Sequence, residues 1–409
     1  MSSGRVVEGS FSAVDRRALG SVATQFFVNG AAFASFVPRL PEIRERIGVG
    51  LDGLGGLLTI AITIGTVGSL RSPAIIARFG TRRTLIVGGL LMVSALPTIG
   101  FATVPFVFVV GAAAMMVADG LVDVSMNLQG SWLSARRHAP VMNRLHGLWS
   151  LGTVVGGLAA AQAASAGVSL RVHLTCASVL MIGSLLFVGR GLLTVDEGDD
   201  ESVDETDDET RDPNGEHDET DRGRGAKRSR ATRIALLVLA LSGACSITVE
   251  LVSTDWAAFR LSEDFGAAAG FAGLGYVAFT IGMTVGRLGG DLVVMRIGDD
   301  RLLRWAIIVS GVGLATAALA PNRWVVLAAY AVAGLGVSTF FPKLYDDAAK
   351  FRGRRGLGLA WLRTGASVTA LMIPTLVGVL AASSLSVGAA TAIVTLPCVT
   401  GLFALSSRR

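Results

Sequence analysis

The chain has 409 residues, of which 51% are hydrophobic and only 16% charged, with a formal net charge of +5 and a mean hydropathy of +0.59. This composition excludes an ordinary water-soluble domain and predicts an integral membrane protein. The three cysteines lie singly in apolar stretches, so neither a disulfide framework nor a zinc site is expected.

Apolar segments of about 20 residues, the length of helix that crosses a bilayer, recur along the chain. They predict twelve transmembrane helices, at 18–37, 54–76, 84–101, 104–128, 146–165, 170–193, 234–256, 266–294, 303–320, 324–344, 359–382 and 387–405. Backbone groups in lipid must be paired within the segment, so these lengths indicate helices rather than barrel strands. Residues 1–17 show no signal-peptide pattern, and the first apolar segment is expected to remain as a span.

One long segment, 194–233, has no apolar periodicity and changes from acidic to basic along its length. This pattern predicts a disordered linker between an N-terminal bundle at 1–193 and a C-terminal bundle at 234–409. Arginines are concentrated in alternate connections, which predicts that the linker and both termini are cytoplasmic. At the outer end of the seventh predicted helix, Trp256 is expected to anchor the chain at the membrane interface.

The two halves share a sequence repeat, because residues 66–83 can be laid over residues 284–301 without a gap. This overlay matches Arg78-Phe79-Gly80 with Arg296-Ile297-Gly298, each between the second and third helices of its half. Such duplication around a long linker resembles the major facilitator superfamily, whose loop at this place carries a glycine, an acid and a basic tail. The first copy keeps the basic tail through Arg83 but has Ala77 at the acidic position. The second copy keeps an acid, Asp291, at a different spacing.

Further motifs resemble a bacterial branch of uncharacterised permeases that is distantly related to fucose/proton symporters. They lie at 29–31 and 41–44, at 119–127, at 146–152, at Glu250 with 255–256, and at 334–342. The resemblance implies an all-α membrane protein in which twelve helices form two pseudo-symmetric six-helix bundles around a cavity lined by helices one, four, seven and ten. Helix eleven departs from this branch, with Arg363 where small residues would be expected.

Asp119, Asp123 and Asn127 form the strongest candidate site, since a spacing of four places them on one face of the fourth helix. By resemblance, Asn29 and Glu250 face the same space. Two acids one turn apart are unfavourable when both are ionised away from water, so we expect Asp123 to carry a proton and Asp119 to contact substrate. The alternative is structural: the carboxylates would bridge to basic residues at the inner helix end, Arg136, Arg137 and Arg144, and Glu250 would also serve packing.

A second candidate set concerns gating. If the bundles pack as in the superfamily, His146 and Asp291 lie close enough to clasp the cytoplasmic side shut. The alternative for His146 is a simple polar anchor at a helix end. The other gating candidates are the basic residues Arg287, Arg78, Arg83 and Arg363. Arg363, with Arg71, would flank another seam, where no acidic partner is evident from the sequence.

The predicted function is secondary active transport of a small hydrophilic solute across the cytoplasmic membrane, coupled to protons, by a monomer in the lipid bilayer. No cofactor and no nucleic-acid partner are expected. The chain shows no nucleophile with its base, no metal cluster and no ATP-binding motif, which disfavours an enzyme or a primary pump. Two alternatives remain open: efflux of drugs or metabolites by proton antiport, and a non-transporting sensor on the same fold.

Overall fold

The computed structural model describes residues 12–137, 141–194, 220–349, 351 and 356–406, with the backbone alone for Arg137, Asn143, Val188, residues 220–231 and Asp291. The first half contains helices α1 Ala13–Phe36, α2 Leu40–Ile47, α3 Leu51–Ser69, α4 Ser72–Phe79, α5 Thr81–Phe101, α6 Pro105–Arg137, α7 Met142–Ser165 and α8 Leu170–Val188. The second contains α9 Thr220–Asp255, α10 Ala257–Phe265, α11 Ala269–Ile297, α12 Asp299–Leu319, α13 Arg323–Val337, α14 Phe340–Ala349, α15 Leu357–Ala381 and α16 Val387–Ser406.

Within the described residues, ten helical segments are long and apolar enough to cross a membrane. Each of the twelve predicted segments coincides with a long helix or a helix pair. The two outside the ten are α1 and α7, both of 24 residues. Their sequences are more polar, because α1 includes Gln25 and Asn29 and α7 includes Arg144 and His146. The structure is therefore that of a multi-pass membrane protein, and a total of twelve spans stays a prediction.

The helix bounds of the second half repeat those of the first. The overlay that matches 66–83 with 284–301 also matches the starts and ends of whole helices, pairing Leu51 with Ala269, Thr81 with Asp299, Phe101 with Leu319, and Pro105 with Arg323. Gly80 and Gly298, matched by the same overlay, have φ/ψ of 77/156° and 82/157°, a conformation open to glycine. Both glycines end one helix and begin the next.

The repeat is broken at one place. In the first half α3 ends at Ser69 and α4 restarts at Ser72, whereas the matching stretch of α11 is continuous. Pro73, in the first turn of α4, explains the interruption, since proline has no N–H and its ring crowds the carbonyl four residues earlier. In the matching position α11 has Asp291, which leaves the helix intact.

Close helix contacts also occur in equivalent places in the two halves. In the first, α1 packs on α7, and a Cβ at Gly152 would collide with the carbonyl oxygen of Phe27. In the second, α9 packs on α15, and a Cβ at Gly365 would collide with the carbonyl oxygen of Ala240. Small residues let membrane helices approach closely, so these glycines set the helix spacing. Contacts of α7 with α11 and of α3 with α15 join the halves.

Three features differ from the sequence-based expectations. Helix α9 begins at Thr220, inside the segment predicted to be a disordered linker, while residues 195–219 lie outside the described part. Two short amphipathic helices, α2 and α10, occupy connections that were expected to be loops. The interfacial anchor predicted at Trp256 is wrong, because this side chain is 1% exposed and packs on Phe259 at the junction of α9 and α10.

Candidate functional site

A hydrogen-bonded cluster joins three helices of the first half. Asn29 on α1 is buried, and its Nδ2 donates to Oδ1 of Asp119 on α6 over 2.6 Å. Its Oδ1 accepts a 2.8 Å hydrogen bond from the indole Nε1 of Trp149 on α7. Asn29 thus uses both ends of its amide, which fixes the orientation of the Asp119 carboxyl and of the Trp149 ring.

The cluster continues into the second half through Arg287 on α11. Its Nη1 donates to the Ser150 hydroxyl over 2.9 Å, and its guanidinium lies 5.7 Å from the centre of the Trp149 ring. Its Nη2 lies 3.7 Å from Oε1 of Glu250 on α9. Polar contacts therefore run from Asp119 to Glu250 across α6, α1, α7, α11 and α9.

Asp123 and Asn127 lie further along the same face of α6. Nδ2 of Asn127 donates to Oδ1 of Asp123 over 3.0 Å and to the Asp123 backbone carbonyl over 2.8 Å. Asp123 has favourable electrostatic interactions with Arg363 on α15 and with His146 on α7. The fold thus brings Arg363 within electrostatic range of an acid that the sequence did not reveal.

The structural alternative for Asp123 required basic residues at the end of α6. Of these, Arg136 forms a 2.9 Å ion pair with Asp15 at the start of α1, Arg144 is exposed, and the side chain of Arg137 lies outside the described part. Arg363 and His146, by contrast, interact electrostatically with Asp123 from α15 and α7. The surroundings of Asp123 therefore include charged groups from both halves of the molecule.

The residues predicted to act in gating do not form one cluster among the described side chains. His146 packs against Phe26 in a T-shaped pair with ring centroids 5.2 Å apart, and it interacts electrostatically with Arg287 and Asp123. The side chain of Asp291 is outside the described residues, so the His146–Asp291 clasp stays a prediction. Arg78 lies over the ring of Phe79 at 5.3 Å, and Arg83 is exposed. Gating roles for these two arginines also stay predictions.

Three residues of the site were not predicted from the sequence. Trp149 and Ser150 belong to the motif at 146–152, but an aromatic and a small residue in a span more often indicate packing than binding. Tyr345, on α14, interacts electrostatically with Asp123, Glu250 and Arg363. It lies one residue beyond the apolar segment predicted at 324–344, where nothing in the sequence pattern marks it.

The sequence and fold both have known relatives. The family model for the Major Facilitator Superfamily matches residues 22–257. An uncharacterised MFS-type transporter of Yersinia pestis is 27% identical over 333 residues, which is 80% of this chain and 79% of the relative. Membrane protein MosC of Rhizobium meliloti is 28% identical over 330 residues, 80% of this chain and 75% of that protein.

Solved structures share the fold at low sequence identity. The nucleoside transporter NupG superposes with a TM-score of 0.68 at 10% identity, covering 97% of this chain and 98% of its own. The fucose:proton symporter FucP of E. coli, solved as a point variant, superposes with a TM-score of 0.61 at 15% identity, covering 95% of this chain and 98% of its own. Since the family model covers more than half of the sequence, this multi-pass membrane protein belongs to the Major Facilitator Superfamily.

Proposed function

We propose that this protein is a secondary transporter that moves a small hydrophilic solute across the cytoplasmic membrane by alternating access, coupled to protons. The relatives named as transporters and the superposed transporter structures support membrane transport. Two six-helix bundles, at 1–193 and 234–409, would rock about the site between them. The repeated helix bounds and the contacts of α7 with α11 and of α3 with α15 support this division.

The observation that carries the proposal is the run of polar contacts from Asp119 to Glu250. Ionisable side chains inside a span cost at least about 2.5 kcal/mol each on insertion scales, so they persist mainly where they have a function or a partner. Here they come from helices of both halves and meet at Trp149 and Arg287. A site shared by both halves is the arrangement that alternating access requires, because each half can hold the solute while the other moves.

Proton coupling is assigned to the acidic pair on α6. Asp119 and Asp123 are one turn apart and influence each other electrostatically, so ionising both in this position is unfavourable. Asp123 is the proposed proton carrier, because it interacts electrostatically with Arg363 and His146, which can respond to its charge. Asp119, held by Asn29, is the proposed contact for the solute.

The polarity of the site favours a hydrophilic solute. Asn29, Asp119, Asp123, Asn127 and Glu250 supply hydrogen-bonding groups, whereas a site for apolar drugs would be lined mainly by aromatic and aliphatic side chains. The names of two superposed transporters, for nucleosides and for fucose with a proton, describe transport of hydrophilic solutes and are consistent with this choice.

The proposed orientation places both termini in the cytoplasm. The junctions of α4 with α5 and of α11 with α12 carry Arg78, Arg82, Arg83, Arg296 and Arg301, and loops rich in arginine are retained on the cytoplasmic side. His146 and the predicted clasp with Asp291 would then lie toward that side.

A ligand screen followed by transport tests the proposal. Purified protein would be screened for thermal stabilisation by sugars, sugar acids, amino acids and nucleosides, and the stabilising solutes would be followed into proteoliposomes. The proposal predicts saturable uptake that increases with an imposed pH gradient. A solute that binds but shows no saturable flux would instead indicate a sensor, and flux in exchange for protons would indicate an antiporter.

A further inference from the structure

Arg287 has unused hydrogen-bonding capacity in the middle of the proposed site. A guanidinium has five N–H donors, and among the described residues Arg287 makes one side-chain hydrogen bond, to Ser150. About 20% of its side chain remains exposed. A cation in a span with free donors and accessible surface is suited to bind an anionic group.

Glu250 is the nearest acid, and it is held loosely. Its carboxylate lies 3.7 Å from Arg287, beyond hydrogen-bonding distance, and 16% of its side chain is exposed. Within the described part of the chain, its carboxylate oxygens accept no hydrogen bond. The pair thus balances charge without the short two-point geometry of a strong arginine–carboxylate pair.

We infer that the transported solute carries a carboxylate, which binds to Arg287 in competition with Glu250. This inference rests on the proposed function and adds the chemical class of the solute. The planar fork of arginine matches a carboxylate through two parallel hydrogen bonds, and the Trp149 ring on one side of the guanidinium restricts its tilt.

The other polar residues of the site determine the orientation of the bound solute. Asp119 and Asp123 would repel a carboxylate and attract hydroxyl or ammonium groups, and Asn29 and Asn127 hold these acids in place. The solute therefore binds with its carboxylate toward α11 and its hydrogen-bond donors toward α6. A hydroxy acid, a sugar acid or an amino acid has this distribution of groups.

Competition with Glu250 also makes binding of the solute carboxylate depend on pH. A proton on Glu250 removes the competing charge, so acidification over the range in which Glu250 titrates strengthens carboxylate binding. Among the described residues, the charged or titratable groups that interact with Glu250 are Arg287 and Tyr276 on α11 and Tyr345 on α14. On α15, Arg363 interacts with Asp123 and Tyr345.

Other elements packed against α9 carry titratable groups that are engaged elsewhere. Arg260 and Asp264 of α10 pair with each other, Glu263 pairs with Arg44, and Tyr330 of α13 interacts with Arg260 and Asp264. Cys398 of α16 interacts with Cys245, and Arg39 of the 3₁₀ turn after α1 pairs with Glu42. Arg287 is therefore the main partner of Glu250.

The test uses matched solutes that differ only in the anionic group. Thermal stabilisation of the purified full-length protein would be titrated with gluconate against sorbitol and with lactate against lactamide. We expect a carboxylate to stabilise the protein and its neutral counterpart to have little effect. Equal stabilisation by the neutral counterpart, or no carboxylate-specific stabilisation across the panel, overturns the inference.

Variants then identify the binding group. Arg287→Gln should weaken binding of the stabilising carboxylate by at least about 30-fold, and Glu250→Gln should strengthen it about fivefold and reduce its pH dependence. Arg323→Gln, at a position stacked on Phe271 away from the site, is the matched control. If Arg287→Gln does not fold, Glu250→Gln alone decides, since weaker or unchanged binding in this variant contradicts competition.

Saturable, pH-driven transport of a neutral solute would overturn this inference and leave the proposed function standing.

Discussion

The guanidinium of Arg44 on α2 lies 2.9 Å from the carboxylate of Glu263 on α10, so a short helix of the first half is tied to a short helix of the second. Both helices end at a glycine with positive φ, Gly48 and Gly266, and both lie on the side opposite the arginine-rich junctions. If the halves rock against each other, this ion pair must break when that side opens.

Removing this pair should shift the conformational balance. The Arg44 and Glu263 side chains are 15% and 28% exposed, and a pair of this kind contributes about 0.5–1 kcal/mol. Glu263→Gln should therefore increase the population open on that side about two- to fivefold. Spin labels at Glu45 and Ala268 would report this as a larger fraction of long distances. The exchanged pair Arg44→Glu with Glu263→Arg should restore the original distribution, and no change in Glu263→Gln would show that the contact does not hold this side closed.

The indole hydrogen bond of Trp149 should contribute to solute binding. Trp149→Phe keeps a ring beneath Arg287 but removes the donor to Asn29, leaving Asn29 and Asp119 free to reorient. A lost hydrogen bond of about 1 kcal/mol predicts an increase in KM of about fivefold with little change in thermal stability. Trp324→Phe, at an exposed ring, serves as the control. An unchanged KM in Trp149→Phe would remove this residue from the binding site.

Because α1 packs closely on α7, two glycine substitutions should differ clearly in their effect on thermal stability. Gly152→Ala adds a methyl group against the Phe27 backbone and should destabilise the protein by about 1–3 kcal/mol. Gly183→Ala, on α8 with no atom within 4 Å of the added Cβ, should be neutral or slightly stabilising. Thermal unfolding of both purified variants measures the difference. Equal unfolding temperatures for the two variants would mean that α1 and α7 can move apart to admit the methyl group without loss of stability.

The positions of the long helices could be predicted because a bilayer imposes one length and one polarity on every span. The α6 stripe could be predicted for a similar reason, since Asp119, Asp123 and Asn127 are related by helical spacing alone. The short helices α2 and α10 were missed because each is too short and too polar to resemble a span.

Contacts between distant segments could not be predicted in this way. Nothing in the sequence indicated that Arg287, one of the gating candidates, lies between Trp149 and Glu250, which are on two other helices. The acid that interacts electrostatically with Arg363 is Asp123 on α6, far away in the sequence. Spacing within one helix shows which side chains share a face, and it does not show which helix that face meets.

The most direct test of the account is solute flux in proteoliposomes with the Asp123→Asn variant. A solute chosen by thermal stabilisation would be offered with and without an imposed pH gradient, and exchange of labelled for unlabelled solute would be measured at equal pH. We expect the unmodified protein to accumulate the solute along the proton gradient, and Asp123→Asn to lose this accumulation while retaining exchange. Undiminished accumulation along the gradient in Asp123→Asn would contradict it.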